Sequence, residues 1–393
     1  TSSPTMEDAW PYAVECSDHI ECAVLSHDER LVCLGSAGGE IVVVEVETGR
    51  IAGRLAGHSG GTLCMCVAPD GRVVSAGEDS FVLVHSLETL SEIGRLRVEG
   101  AAGINCATGT WVSAISIRGT RIVAAAGQSL VIADLNTPAF GGDGNAPAGS
   151  VCVLGLSRAV DCVEFMADGT ICTCGYGGVT LFRPTVGDSL AYEIVPRYAK
   201  TYHSGIDGAT LGYKGWLLSL APSPTGEWIA SGCSDNTVRL WKTATGQDFK
   251  CGGYSSKISC VVWDPSGRVC ATSGSNQATL WDFSTGSPAG STPLACVGQK
   301  ASVTALAFHP NGRHFASGSS DGILKVYDTQ AYDAGDLRQG RPHIAHALCS
   351  FGTSVAVGMP ASCVEHLVWS RSGVLIAACA QGKCTALRFR ALS

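Results

Sequence analysis

The groups with the greatest chemical potential in this chain are its 19 cysteines and 10 histidines. Cys64/Cys66 and Cys172/Cys174 have C-x-C spacing, which on an extended chain puts both thiols of a pair on one face. Structural zinc sites use C-x₂₋₄-C spacing, so neither pair reads as a zinc centre. Cys16 with Cys22, or Cys379 with Cys384, would meet a metal or each other only through tertiary contact. An odd cysteine count in a long chain with no secretion signal argues against a disulfide framework and for a reducing compartment. Of the scattered histidines, His343 and His346 are close in sequence but sit in a loop-like stretch. Asp235 and Asp321 would suit acid–base work in isolation, but each lies in a hairpin turn whose backbone N–H groups it can accept. No G-x-x-x-x-G-K-[ST], G-x-S-x-G or H-E-x-x-H occurs. The glycine-rich stretches Gly141-Gly142-Asp143-Gly144 and Gly175-Tyr176-Gly177-Gly178 fall between strands. They open no helix whose N-terminus could hold a phosphate. No catalytic residue, cofactor or metal is assigned, and the chain reads as a non-enzyme.

The elements that hold these residues repeat. The clearest unit, Val303 to Asp328 (VTALAFHPNGRHFASGSSDGILKVYD), alternates apolar and polar in three runs, separated by turns at Asn311-Gly312 and Asp321-Gly322. Alternation of period two with Asn-Gly and Asp-Gly turns predicts three antiparallel strands. Copies begin at Leu217, Ile258 and Leu63, and weaker ones at Ile20, Val112, Val160 and Cys363. The residue opening the second strand is Arg30, Arg72, Arg121, Thr170, Glu227, Arg268, Arg313 and Val374 in turn, with spacings of 41 to 61 residues. The shortest spacings match a four-stranded propeller blade, and the longer ones hold insertions. In this alignment Cys64, Cys162 and Cys260 fall where the clearest unit has Ala305. Cys66 falls at Ala307, Cys33 at Ala316, and Cys172 and Cys270 at Phe315. A thiol at such positions is core filler.

Gly57-His58, Ser231-Gly232 with Asp235, Leu240-Trp241, Trp281-Asp282 and Ser317-Gly318 with Asp321 resemble the WD40 repeat, over about residues 10 to 393. The resemblance implies an all-β fold: a β-propeller of four-stranded antiparallel blades around a channel. Eight landmarks favour eight blades over seven. The last unit ends at its third strand, so the segment Trp10 to Asp18, with Tyr12, Val14 and Cys16 on one face, is expected to supply the missing outer strand. The family also implies a buried polar set of His, Ser or Thr, Asp and Trp in each well-formed blade. Here it comprises His58, Ser75 and Asp79 with His85 in the Trp place, then Ser231, Asp235 and Trp241 without a preceding Gly-His, and Trp281 and Asp321. The stretch Trp216 to Pro293 further resembles bacterial-type WD40 proteins associated with CobW-like GTPase metallochaperones, implying a GTPase partner that delivers zinc or another metal.

Expected organisation follows: residues 1–9 as a flexible lead, then a single propeller over 10–393 with insertions near 137–150, 184–215 and 329–346. The second insertion carries Tyr192, Arg197, Tyr198, Lys200, Tyr202 and His203; the third carries Arg338, Arg341, His343 and His346. Long loops on a stiff scaffold are one place for specificity. By the resemblance, WD40 proteins mostly bind peptides or protein domains with loops that lead into the first strand of each blade. Those loops hold Trp111, Arg158, Lys214, Trp216, Tyr254, Lys257 and Lys300, combining aromatics and cations that suit binding anchors.

Composition sets outer bounds. The chain is 45 % hydrophobic and 16 % charged, with a formal net charge of −7. It is too apolar to be disordered, too acidic for sequence-independent binding of nucleic acid, and free of any apolar run long enough for a membrane helix. The reading is an intracellular scaffold, cytoplasmic or alternatively in an organelle, that binds one or more proteins. Two alternatives stay open: a structural subunit of a large organellar or ciliary assembly, and an accessory protein of a CobW-like GTPase.

Overall fold

The computed structural model describes residues 5–99, 110–141, 144–147, 149–186, 190–196, 210–284, 286, 293–329, 343–352 and 362–390. Within them the backbone forms eight separate sheets, and the single helical piece is a 3-10 turn at Pro138–Phe140. Each sheet is one blade. The first strands are Ile20–Leu25, Thr62–Val67, Val112–Arg118, Cys162–Phe165, Ala221–Pro222, Val261–Trp263, Val303–Phe308 and Val364–Trp369 for blades 1 to 8. Each of these packs against the first strand of the next blade, and that of blade 8 against that of blade 1, so the first strands close a ring around the axis.

Alternation along the strands explains the core. Side chains of one parity face the preceding blade and those of the other parity face the following blade. The buried apolar residues accordingly fall into clusters that sit between neighbouring sheets. Cys33, Ile41 and Val43 join Met65 and Val73 between blades 1 and 2. Val74, Val82 and Val84 join Ile115, Ile122 and Val131 between blades 2 and 3. Ala305 and Leu324 join Val364, Ala377 and Leu387 between blades 7 and 8. Both faces of every blade are therefore buried, and a low charge content follows. The cysteines take part as packing atoms. Cys33, Cys172 and Cys270 are fully buried, and all eighteen described cysteines are free thiols. Burial pushes the Cys33 thiol up to about 12, far from a reactive thiolate.

The ring closes differently in detail from the expectation. Blade 8 consists of Val364–Trp369, Val374–Cys379 and Lys383–Arg390, and its outer edge is covered by two short strands, Thr5–Asp8 and Val14–Glu15. The closing strand thus starts before Trp10, and residues 5–8, expected within a flexible lead, pair Thr5 with Arg390 and Asp8 with Leu387. The chain breaks between the two pieces because Trp10 leaves the sheet plane. Its indole is buried between blades 8 and 1 and donates from Nε1 to Val46 O at 2.7 Å. Gly49 lies flat against that ring: a Cβ there would sit 2.5 Å from the indole Cγ. Tyr12 projects outward, 76 % exposed, instead of sharing the inward face of Val14.

Blade 4 accounts for the weak repeat at Val160. Its long strand, Ile171–Pro184, pairs with Cys162–Phe165 through its first half. The second half pairs with Tyr192–Ile194 and, separately, with Leu211–Trp216. The insertion divides the outer strand into two. Tyr192 is buried and its hydroxyl accepts a hydrogen bond from Arg121 at 2.9 Å. Arg197, Tyr198, Lys200, Tyr202 and His203, like Arg338 and Arg341, lie outside the described residues. The end of the third insertion crosses to the neighbouring blade. His343–Ala345 adds a parallel fifth strand beside Leu294–Cys296 of blade 6, before Cys349–Gly352 completes blade 7.

Candidate protein-interaction face

Polar groups inside the blades fix the loops at one end of the ring. In blade 2, Asp79 Oδ1 lies 2.8 Å from His58 Nδ1, Ser75 Oγ lies 3.0 Å from His58 Nε2, and His85 Nε2 lies 3.1 Å from Ser75 Oγ. Burial would raise the Asp79 carboxyl, but His58 and the N–H groups of Ser59 and Phe81 hold it below the usual range. His85 fills the Trp position with its Nδ1 buried and without a partner, and burial lowers its pKa to about 4. His58 stands four residues before Thr62, the first residue of its strand.

The same offset identifies the counterparts that sequence reasoning missed. Four residues before Ile258 stands Tyr254, whose hydroxyl is 2.7 Å from Thr272 Oγ1 and accepts the Trp281 indole N–H at 2.9 Å. Four before Val303 stands Gln299, whose amide donates to Ser317 Oγ at 3.0 Å and whose carbonyl accepts from Ser319 at 3.2 Å. Ser319 also donates to Asp321, and Tyr327 occupies the Trp position. Four before Leu217 stands buried Tyr213, which hydrogen-bonds Asp235. Ser231 donates instead to Ser219 O at 2.6 Å, and the buried Trp241 Nε1 has no hydrogen-bond partner. Tyr254, expected among the surface anchors, is thus largely an internal strut of blade 6. The constant offset from the aligned repeat position (Thr62, Leu217, Ile258, Val303) was the available signal, obscured because His, Tyr, Tyr and Gln share hydrogen-bonding capacity and not identity.

The remaining expected anchors are at the surface. Trp111 and Trp216 are 57 % and 48 % exposed. Lys214, Lys257 and Lys300 are exposed, with no ion-pair partner among the described residues, and Arg158 is half-buried. Two of these six are brought together by a residue that sequence reasoning did not select. The stretch Gly175-Tyr176-Gly177-Gly178, expected between strands, lies instead within the long strand Ile171–Pro184, where the register shifts and Tyr176 stands opposite Trp216 in a glycine-rich turn of the strand. The Tyr176 and Trp216 rings are 5.3 Å apart between centroids and tilted by 58°. The Arg158 guanidinium lies 5.6 Å from the Tyr176 centroid and donates to Tyr176 O at 3.4 Å. The glycines dictate this turn. A Cβ at Gly175 would lie 2.8 Å from Ala159 O, and one at Gly178 would lie 2.2 Å from Leu211 O, where φ is +128°. Only Tyr176 can carry a side chain in this crowded turn, and it points outward.

Comparison with known proteins identifies the repeats. The family described as "WD domain, G-beta repeat" matches residues 49–86, 208–242, 247–282 and 291–328. Four segments of this eight-bladed β-propeller are WD40 repeats. The four matched segments take in blades 2, 5, 6 and 7, the blades in which the polar sets above occur. Among curated relatives, "Ribosome biogenesis protein WDR12 homolog" of Drosophila erecta is 33 % identical over 125 residues, 31 % of this chain and 29 % of that protein. The Drosophila yakuba protein of that description is 34 % identical over 123 residues, 30 % and 29 % of the two chains. The WD40 propeller therefore aligns with less than a third of these relatives' length. A solved structure, that of the computationally designed Ika8 protein, covers 97 % of this chain and 99 % of its own at a TM-score of 0.69 and 18 % identity, a likeness of fold alone. No helix among the described residues is long and apolar enough to cross a membrane.

Proposed function

We propose that this WD40 propeller is a non-catalytic scaffold that binds a protein partner through the end of the ring carrying Arg158, Tyr176 and Trp216, with Trp111, Lys214, Lys257 and Lys300 on the same rim. The observation that carries this reading is the exposed cation–aromatic stack held by a glycine turn. Tyr, Trp and Arg dominate binding hot spots, and a rigid turn lowers the ordering cost of association. We take the chain from residue 5 onward as one domain and expect it to act within a multi-protein assembly, as the relatives named for ribosome biogenesis suggest. Those relatives are not named for metal delivery, so the CobW alternative is carried no further, and no observation favours an organellar or ciliary subunit.

Affinity purification of the tagged chain from its native source, beside Tyr176→Ala and Trp216→Ala, tests the reading. A stoichiometric partner present with the wild-type chain and depleted by both variants is expected. An unchanged set of co-purifying proteins overturns the choice of face.

A further inference from the structure

The charges at this end of the ring are unevenly distributed. Although the chain carries a net −7, the segments leading into blades 4, 5, 6 and 7 each contribute a cation: Arg158, Lys214 (near the end of the strand Leu211–Trp216), Lys257 and Lys300. Two carboxylates in the neighbouring turns are engaged in local hydrogen bonds. Asp235 accepts from Thr237 at 2.5 Å and from Tyr213, and Asp321 accepts from Ser319 and the Ile323 N–H. Asp161 and Asp235 are themselves exposed, so two carboxylates stand among the four cations. Across the ring, blades 8, 1 and 2 present Asp18, Glu21, Glu365 and Glu78 instead, with His19 placed 2.6 Å from Glu21. One side of the rim is thus cationic and aromatic and the other anionic.

We propose that the cationic side binds an acidic, extended segment of a protein partner. An apolar side chain of that segment rests on Tyr176 and Trp216, while flanking carboxylates meet Arg158 and Lys214. The proposal rests on the protein-binding role assigned above and adds the chemistry of the partner. The steps of 5.6 Å from guanidinium to Tyr176 and 5.3 Å from Tyr176 to Trp216 define a span that about three residues of extended chain cover. The acidic side of the rim repels the same segment and sets its direction, as complementary potentials do in other interfaces.

The test is to pan a phage library of short random peptides against the full chain. The most enriched peptide is then titrated by fluorescence anisotropy against the wild type, Trp216→Ala and the Arg158→Glu/Lys214→Glu double variant, with melting temperatures confirming that each is folded. A fluorescein-labelled oligouridylate serves as the nucleic-acid comparison. Enriched peptides should pair Asp or Glu with an aromatic or aliphatic residue. Each variant should weaken binding by about tenfold or more, and added salt should weaken it further. Neutral or basic peptides that still depend on Trp216 would overturn the acidic partner and leave the face intact. Binding indifferent to both variants, or no enrichment, would overturn both. Tighter, variant-sensitive binding of the oligouridylate would overturn the proposal in favour of RNA.

Discussion

Buried His85 and half-buried Glu164 are two titratable groups whose effects on stability run in opposite directions. His85 is held near 4 by burial, below its unfolded value of about 6.5. The folded protein therefore binds fewer protons in that window, and stability is lost as pH falls from about 6.5 towards 4. The full effect is about 3 kcal/mol. His85→Phe should flatten this part of the stability profile, measured by urea unfolding at several pH values; an unchanged slope would count against it. Glu164, on the first strand of blade 4, accepts from Ser116 of blade 3 at 2.8 Å, yet burial raises its carboxyl to about 7. Here the folded state holds the extra proton, so stability falls as pH rises from about 4.5 to 7. Glu164→Gln should therefore stabilise the protein at pH 8 by up to about 3 kcal/mol and do little at pH 4. Destabilisation at pH 8 would show instead that the ionised carboxylate is well solvated.

At the scale of elements, the outer edge of blade 8 depends on a single indole. Trp10 anchors Thr5–Asp8 and Val14–Glu15 by filling the layer between blades 8 and 1. Trp10→Ala should cost about 3–5 kcal/mol and raise amide exchange first in Lys383–Arg390, which would lose its outer neighbours. Uniform exchange across all blades would mean that the closing strands are not a separate unit. The strand pattern was readable wherever turn chemistry was explicit: Asn311-Gly312 and Asp321-Gly322 announce blade 7. Blade 4 was faint because glycines around Tyr176 break the alternation within its long strand and its outer strand is divided. Blade 5 begins with only Ala221–Pro222 in ladder pairing, since Pro222 has no N–H to donate. The polar sets were half legible. His58, Ser75 and Asp79 match a known pattern, whereas Tyr213, Tyr254 and Gln299 replace histidine by function. The stack of Arg158, Tyr176 and Trp216 joins a loop and two paired strands and could not be read from any one of them.

For the whole molecule, stiffness comes from repetition around the ring. Neighbouring first strands are also tied by side chain to backbone: Ser113 Oγ donates to Val160 O at 3.1 Å, Thr304 Oγ1 to Val364 O at 2.5 Å, and the Cys22 thiol to Thr62 O at 3.5 Å. Loops at one end therefore share a common frame, and a partner that touches blades 4 to 7 meets a preset surface. The pairing of Thr5 with Arg390 has a consequence for biosynthesis. While the ribosome is still making the chain, the early strands have no mate for their closing edge. The growing protein is an open arc with an apolar flank on blade 1, including Ile20, Val32 and Val44. Long-range pairing of this kind is slow and exposes sticky surface while it waits, so completion of the ring is deferred until the last strand has emerged from the exit tunnel.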